Sequence, residues 1–194
     1  MQNKIDSIFD EPREHITKRV TLKPQIPEDF DIYYKLWTND DVLYFLERSQ
    51  KTEEELQKLY DSILAYSEKK YFFKYIIFLK DTNEKIGSFG INAINKLSSR
   101  VDIGYLLLPE YWSRGIISEV IEMMLEYLFI EIKLNKICAT SNYDNIASRK
   151  VLEKFGFEVE GILKEQTYIG NLGKFCDDAK YGLLREEWEN EREK

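Results

Sequence analysis

The chain has 194 residues, of which 43% are hydrophobic and 32% charged, which fits one folded domain. This composition excludes a disordered protein and a collagen-like fibre, and its longest apolar stretches fall far short of the roughly 20 residues that span a membrane. Acidic residues outnumber basic ones by 35 to 28, and the net charge of −7 disfavours general nucleic-acid binding and favours a cationic or amine-bearing substrate.

Histidine and cysteine are scarce. The two cysteines, Cys138 and Cys176, lack the spacing of a zinc site or a disulfide framework. A lone histidine, His15, argues against a histidine-based triad and against a histidine-rich metal site. Residues 1–10 lack the apolar run of a secretory signal. We therefore expect a cytoplasmic protein, monomeric or homodimeric, without a metal and without a membrane partner.

The first half of the chain predicts strands and helices in mixed order. Strands are predicted over 19–23, 71–79 and 85–95, and helices over 29–37, 40–47 and the amphipathic stretch after Thr52. Thr52 and Glu55 have the spacing of a capping box, which marks the start of that last helix. The turn at 81–84 joins two of the strands into a hairpin.

The second half alternates strands and helices before a closing hairpin. Strands are predicted over 100–108, 136–140, 157–169 and 174–184, and helices over 115–130 and 145–155. Gly156 is the expected left-handed stop of the second helix. The element order predicts an α/β (α+β) fold with a mixed, mostly antiparallel sheet of about seven strands and helices on its faces.

The segment 109–118 (PEYWSRGIIS) leads from a strand into a long helix. The first N–H groups of a helix have no internal partner and lie at the positive end of its dipole, so they form an anion site. Gly115 lets a ligand approach the backbone closely, and Arg114 adds positive charge. The residues leave two interpretations open, a cradle for a diphosphate and an ordinary strand-to-helix turn.

The segment 142–148 (NYDNIAS) enters the next helix in the same way. Asn145 and Ser148 in a first helical turn are most often capping residues. The alternative is that both helix starts open on one cleft, because two successive strands deliver their C-terminal ends into helices.

Motifs in this order resemble those of the GNAT acetyltransferases. They are 19–24 (RVTLKP), 102–105 (DIGY), 109–115 (PEYWSRG), Asn145-x-x-Ser148 and 153–157 (EKFGF). More narrowly, the chain looks like the branch of ribosomal-protein N-terminal acetyltransferases related to RimJ and RimL, and the ending 181–188 (YGLLREEW) looks typical of bacterial members. The resemblance implies an N-terminal extension over 1–15, a GNAT domain over 16–188 with splayed central strands that form a CoA cleft, and a charged tail over 189–194.

The resemblance implies acetyl-CoA as the acetyl donor and no metal. The cofactor-binding residues that it implies are Leu106, Leu107, Leu108, Ser113, Arg114, Gly115, Ile116, Ile117, Ser118, Asn145, Ser148 and Lys154. The leucines would pair with the pantetheine arm through their backbone, and Lys154 would meet the 3′-phosphate unless it is only a solvated helix charge. Gly115 alone matches the family's phosphate motif strictly, because Trp112 and Ile117 depart from it.

The mechanism that the resemblance implies is direct transfer to an amine. Asp102 occupies the position of the family's glutamate base, where a shorter side chain favours a water relay; a purely structural carboxylate is the alternative. The family's tyrosine acid falls on Leu152, so Ser148 is the nearest substitute. Another glutamate position falls on Thr140, which cannot be a base.

Three functions remain open at this point. The first is an N-acetyltransferase that acts on a primary amine, either the α-amine of a protein N-terminus, as in the ribosomal-protein branch, or a small amine such as a polyamine. The second is a non-catalytic acyl-CoA-binding or interaction module, which the vacant positions at Leu152 and Thr140 favour. The third is a binder of nucleotide diphosphates.

Overall fold

The computed structural model describes residues 4–46 and 51–192, and within them eight strands form one sheet. The strands are β1 His15–Ile16, β2 Val20–Pro24, β3 Phe73–Leu79, β4 Lys85–Asn95, β5 Arg100–Leu107, β6 Lys136–Asn142, β7 Glu158–Ile169 and β8 Lys174–Leu184. Their order across the sheet is β1-β2-β3-β4-β5-β6-β8-β7, and only β5 and β6 pair in parallel. The predicted mixed, mostly antiparallel sheet is confirmed, with the short β1 added to the expected seven strands.

Helices lie on both faces of this sheet. They are α1 Ser7–Asp10, α2 Phe30–Trp37, α3 Asp40–Leu43, α4 Glu53–Glu68, α5 Ile116–Glu126, α6 Ile146–Lys154 and α7 Arg185–Arg192. The expected capping box starts α4, since Glu55 N–H donates to Thr52 Oγ1 at 3.2 Å and Thr52 N–H donates to the Glu55 carboxylate at 2.8 Å. The helix expected over 40–47 is shorter than predicted, and residue 47 lies outside the described residues.

The described segments near both ends of the chain pack on the sheet. Ile5 and Ile8 are buried in the main apolar cluster, and Lys4 N–H donates to the carbonyl of Ile132 at 2.8 Å. Near the other end, Trp188 anchors α7, with its ring 5.3 Å from that of Phe129. Residues 189–192 of the expected tail therefore continue a helix, while the division into extension, domain and tail stays a prediction.

Two apolar clusters cover the two faces of the sheet. On the first face, which we call the α5 face, α1, α5, α6 and α7 pack against the strands, and Val120 and Leu152 are buried there. On the second, the α2 face, α2 and α4 pack against β3 through Trp37, Tyr60 and Phe78. The sheet therefore lies between two helical layers.

Side chains of the central strands alternate between these faces. Val101, Ile103 and Leu107 of β5 belong to the cluster on the α5 face. Because successive side chains of a strand point to opposite faces, Asp102 and Leu106 lie on the α2 face. Residues of β6 and β8 that pair in register with a β5 residue lie on the same face as that residue.

No helix among the described residues is long and apolar enough to cross a lipid bilayer. Within the same residues, no three His, Cys, Asp or Glu side chains form a group that could hold a metal ion. Cys138 and Cys176 are buried free thiols, and burial raises the pKa of Cys138, which suits a packing residue better than a nucleophile.

Candidate active site

A gap opens between β5 and β6 at the carboxyl ends of the two strands. They pair in parallel from Arg100 opposite Lys136 to Ile103 opposite Ala139. Beyond this point β5 runs on to Leu107 and β6 to Asn142 without pairing to each other. The unpaired part of β5 is four residues long, about 13 Å at 3.3 Å per residue, which is room for an extended ligand arm.

Only alternate backbone groups of β5 face this gap. Leu108 N–H donates to the carbonyl of Ile86 at 2.9 Å, toward β4. In an antiparallel pair both backbone groups of every second residue point to the partner, so Leu106 also points to β4, whereas Tyr105 and Leu107 point into the gap. Of the three residues predicted to offer backbone groups to a ligand, Leu107 therefore faces the gap, while Leu106 and Leu108 face β4; contact of all three with a ligand stays a prediction.

A run of free backbone amides follows β5. Among the described residues, the N–H groups of 113–118 have no acceptor, and the first amide of this helix with a partner is that of Glu119, which bonds to Gly115. Ser113 and Gly115 have left-handed φ values of 56° and 72°, and residues 113–115 are exposed. Left-handed residues turn successive amides to one side, as in the nests that bind anions, and the dipole of α5 adds to them. The turn has the chemistry of an anion site.

Two side chains hold this turn in place. The Trp112 indole donates to the Leu107 carbonyl at 2.8 Å, which closes the loop back onto the end of β5. Arg19, just before β2, donates to the Arg114 carbonyl at 2.7 Å and to the Glu119 carboxylate at 2.7 Å. Arg19 was not predicted as a site residue, because it lies 95 residues away in sequence from the carbonyl that it holds.

Asn145 caps α6. Its Oδ1 accepts the Ser148 N–H at 3.1 Å, so the capping interpretation of this segment is present in the structure. Asn145 is half-buried, and its Nδ2 has no partner within the described part of the chain. A ligand role for Nδ2 is compatible with capping, because the two use different atoms of the amide.

Ser148 is hydrogen-bonded to a tyrosine on β5. Its Oγ lies 3.0 Å from the Tyr105 hydroxyl, which also donates to the Ser148 carbonyl at 3.3 Å. Burial raises the pKa of Tyr105 to about 12, although the hydrogen bond with Ser148 acts in the opposite direction. Tyr105 was missed as a site residue, although it ends the quoted motif DIGY, whereas Leu152 is buried in the core as its apolar character requires.

Asp102 lies on the α2 face, where β5 and β6 are still paired. Its neighbours in register are Asn92 on β4 and Cys138 on β6. Its Oδ1 is buried and has no hydrogen-bond partner among the described residues. Ser148 meets β5 on the α5 face, through Tyr105, so the two predicted catalytic residues lie on opposite faces of the sheet.

Lys154 lies away from the start of α6. It is nine residues beyond Asn145, about 13 Å along a helix that rises 1.5 Å per residue, and its Nζ lies over the Phe155 ring at 5.3 Å. The groove that it lines also contains four glutamates, namely Glu119, Glu122, Glu126 and Glu191. Their charge disfavours a phosphate at this position, so a solvated helix charge is the better interpretation of Lys154.

Comparisons with known proteins extend these observations. The family model of the acetyltransferase (GNAT) domain matches residues 19–158, which is more than half of the chain. An uncharacterized N-acetyltransferase of Bacillus subtilis, YoaA, is 33% identical over 87% of this chain and 95% of its own length. The ribosomal-protein-serine acetyltransferase of Escherichia coli is 26% identical over 62% of this chain and 66% of its own, in agreement with the predicted RimJ/RimL-like branch.

A solved structure shows the same fold. It is that of the spermidine N-acetyltransferase from Vibrio cholerae in complex with CoA and spermine, at a TM-score of 0.77. The two chains are 21% identical over 88% of this chain and 98% of the other. The named relatives thus include proteins that act on a ribosomal protein and on a polyamine.

Proposed function

Because the chain belongs to the GNAT acetyltransferase family, we propose that it moves the acetyl group of acetyl-CoA to a primary amine inside the gap between β5 and β6. The acyltransferase class and the acetyl-CoA co-substrate are those of the family. The observation that carries the proposal is the run of six unpartnered amides, residues 113–118, at the mouth of the gap.

The pyrophosphate of acetyl-CoA binds at this turn. Its negative charge matches the free amides around Gly115 and the positive end of the α5 dipole. Contacts from the backbone explain why Trp112 and Ile117 can replace the usual residues of the family motif, since the shape of the turn matters more than its side chains. Arg114 is exposed beside it and adds positive charge.

The pantetheine arm lies in the gap. Of the backbone groups there, the Leu107 N–H and both groups of Tyr105 point toward the arm, while the Leu107 carbonyl is occupied by Trp112. Asn145 Nδ2 faces the arm from the start of α6. An arm that runs from Gly115 toward Tyr105 delivers the thioester to Ser148, which supports a role for Ser148 at the sulfur.

The reaction is direct transfer. The neutral amine nitrogen attacks the thioester carbonyl carbon, the carbon–sulfur bond breaks, and the thiolate departs; alignment of the two reactants contributes up to about 7–11 kcal/mol. The Leu107 N–H polarises the carbonyl oxygen. The family resemblance assigns the amine's proton to Asp102.

Ser148 and Tyr105 stabilise the thiolate. A free thiol has a pKa of about 8.5 and Tyr105 one of about 12, so a tyrosine proton would not pass fully to the sulfur. The pair therefore acts as a hydrogen-bond donor to the negative sulfur, and water supplies the final proton. This assignment removes the need for the tyrosine that Leu152 replaces.

The acceptor is a primary amine, either the α-amine of a protein N-terminus or a small cationic amine. The net charge of −7 attracts both classes, since each carries positive charge before it reacts. The relatives named above act on one class or the other, so the acceptor is open to direct test.

The test is a thiol-release assay with acetyl-CoA and a panel of amines that includes polyamines, amino acids and peptides with free N-termini. Release of CoA with at least one amine, and mass spectrometry of the acetylated product, support the proposal. CoA binding without acetylation of any amine would favour a non-catalytic module instead. Stabilisation of the fold by ATP or NAD at concentrations where CoA has no effect would favour the nucleotide binder.

A further inference from the structure

A second carboxylate lies on the α2 face, one strand beyond the gap, at Asp178 of β8. It stands opposite Asn142, the last residue of β6, in the antiparallel pair of these strands. Asn142 is three residues past Ala139, the last residue of β6 that pairs with β5, or about 10 Å along the strand. Asp178 is therefore level with the open part of the gap, whereas Asp102 is level with the closed part.

Asp178 is buried and held from one side only. It is 8% exposed, and the Thr167 hydroxyl of β7 donates to its Oδ2 at 2.6 Å. No other donor among the described residues reaches the carboxylate, which leaves Oδ1 for a ligand. A buried carboxylate with one oxygen fixed and the other free is suited to bind an ammonium group.

Asn142 supplies a donor that has no acceptor. It is 7% exposed, and its Oδ1 accepts the Asp144 N–H at 3.0 Å, which fixes the orientation of the amide. The Nδ2 is buried without a partner among the described residues. An unsatisfied buried donor costs about 1–3 kcal/mol, and a hydrogen bond to a ligand oxygen would remove that cost.

We propose that Asp178 binds the acceptor amine and takes its proton, while Asn142 donates to the thioester carbonyl oxygen. Attack of an amine on a carbonyl develops positive charge on nitrogen and negative charge on oxygen, and so needs an acceptor and a donor side by side. Asp178 and Asn142 are cross-strand neighbours on one face, with Cβ atoms about 5 Å apart. The inference rests on the proposed function and moves the base from Asp102 to Asp178.

The protons balance in this scheme. The bound ammonium gives one proton to Asp178, and the neutral nitrogen then forms the bond to the carbonyl carbon. When the carbon–sulfur bond breaks, the nitrogen releases its second proton to solvent water, the thiolate gains one from water, and Asp178 returns the first proton to solvent. Each turnover thus yields an amide, a thiol and one net proton, and no oxidant or reductant is needed.

The experiment compares Asp178→Asn with Asp102→Asn in the full chain. Both substitutions keep size and remove a carboxylate, so each is the matched control of the other. We expect Asp178→Asn to lower kcat/KM for the amine by about 100-fold or more, with CoA affinity by calorimetry unchanged. The loss in Asp102→Asn should be at least about tenfold smaller, because the proton of the amine passes to Asp178. Activity of Asp178→Asn near that of the wild type, or a large loss confined to Asp102→Asn, overturns the inference.

A second variant keeps the test decisive if Asp178→Asn does not fold. Thr167→Val removes the hydroxyl that fixes Oδ2 and leaves the carboxylate in place. We expect it to raise KM for the amine by about 5- to 20-fold without a change in CoA affinity, and an unchanged KM would contradict the inference. A wild type that acetylates no amine would reject the proposed function and this inference with it, whereas an active wild type with unaffected variants rejects the inference alone.

Discussion

The hydroxyl of Tyr105 lies 3.0 Å from Oγ of Ser148, although 43 residues separate them in the chain. The contact joins β5, whose backbone faces the gap, to the first turn of α6. It places two hydroxyl groups in series where the thioester sulfur is proposed to lie. The serine is therefore oriented by a partner, which is what a weak donor needs to stabilise a thiolate.

Tyr105→Phe tests this role. The substitution keeps the ring and removes one hydroxyl, so we expect kcat to fall about tenfold while KM for acetyl-CoA stays constant. Ser148→Ala should lower kcat at least as much, and the double variant should be no worse than Ser148→Ala, because the tyrosine acts through the serine. Steady-state kinetics of the three variants provide the measurement. Additive losses would show that the two hydroxyl groups act independently.

Gly115→Ala should weaken CoA binding. The glycine has φ of 72°, where an L-residue costs about 1–2 kcal/mol, so the turn must distort or the fold must lose that stability. Steric clash is not the cause, since a Cβ would lie 3.6 Å from the nearest atom, on Arg19. We expect CoA affinity, measured by calorimetry, to fall about tenfold because the free amides lose their common direction.

Gly173→Ala is the matched control for this variant. Gly173 also has a left-handed φ, 61°, and no atom lies within 4 Å of its would-be Cβ. It sits in the turn between β7 and β8, so it shares the backbone strain but not the amide run. Equal CoA affinity in the two variants would show that the Gly115 turn does not hold the pyrophosphate.

Arg19→Met should loosen the same turn from outside. Methionine keeps much of the aliphatic length and the backbone N–H bond to Glu119, and loses the side-chain bonds to the Arg114 carbonyl and to the Glu119 carboxylate. We expect CoA affinity to fall about fivefold and KM for the amine to stay constant, since only the turn is released. Arg13→Met is the control. Arg13 forms an ion pair with Glu131, with 2.6 Å between nitrogen and oxygen, and this pair does not involve the Gly115 turn. A fall in amine affinity alone would contradict this role of Arg19.

The pH range over which Arg19 holds the Gly115 turn depends on the Glu119 carboxylate that Arg19 binds. Burial acts to raise the pKa of its carboxyl group, but hydrogen bonds from Thr17 and Arg19 outweigh burial and lower that pKa below the ordinary value. A depressed carboxyl pKa contributes stability above the unfolded value and loses it as the pH falls through the folded value. The contact between Arg19 and Glu119 should therefore persist to a lower pH than a contact with an ordinary glutamate would.

Much of the fold was predictable because its signals are local. The capping box at Thr52, the apolar stripe of α5 and the stop at Gly156, with φ of 82°, each depend on residues within a turn or two. The elements that were missed depend on distant contacts. Among the described strands, β1 has two residues and pairs only with β2, and α7 is mostly charged and is held through Trp188.

The candidate site also contains features that local sequence predicts and features that distant contacts determine. The turn at Gly115 was predictable from its position between a strand and a helix. The direction of the backbone groups at Leu106 and Leu108 was not, because the pairing with β4 sets it. Tyr105 and Asp178 were missed since their significance comes from partners on other elements, which spacing along the chain does not reveal.

Asn145 can be tested for a second role beyond its cap. Asn145→Ala removes the acceptor for the Ser148 N–H and should cost about 1 kcal/mol of stability. Asn145→Asp keeps that acceptor and replaces the Nδ2 donor by a carboxylate oxygen, whose charge the N-terminus of α6 tolerates, so its stability should be at least that of the wild type. If Nδ2 binds the pantetheine arm, CoA affinity falls about fivefold in both variants. Wild-type affinity in Asn145→Asp would leave the residue as a cap alone.

A buried histidine makes stability depend on pH. His15 lies between Tyr75 and Tyr127, with ring centroids at 5.3 and 4.4 Å, and its Nε2 is 3.3 Å from the Tyr75 hydroxyl. Burial, and then the positive charge of Arg13, lower its pKa to about 4, while Glu131 acts in the opposite direction. The folded protein therefore takes up this proton less readily than the unfolded chain does.

The sign of the effect follows from this difference in proton uptake. Between the ordinary histidine pKa of 6.5 and the folded value of about 4, the unfolded chain binds more protons, so the free energy of unfolding falls as the pH falls. The loss is about 3 kcal/mol across that window, at 1.36 kcal/mol per pKa unit.

His15→Gln retains a polar group for the Tyr75 hydroxyl and removes the titration. Urea unfolding at pH 7 and near pH 4.5 should show a smaller loss for the variant than for the wild type, while the carboxylates titrate alike in both and cancel. Equal losses in the two proteins would mean that His15 is protonated in the folded state as easily as in the unfolded chain.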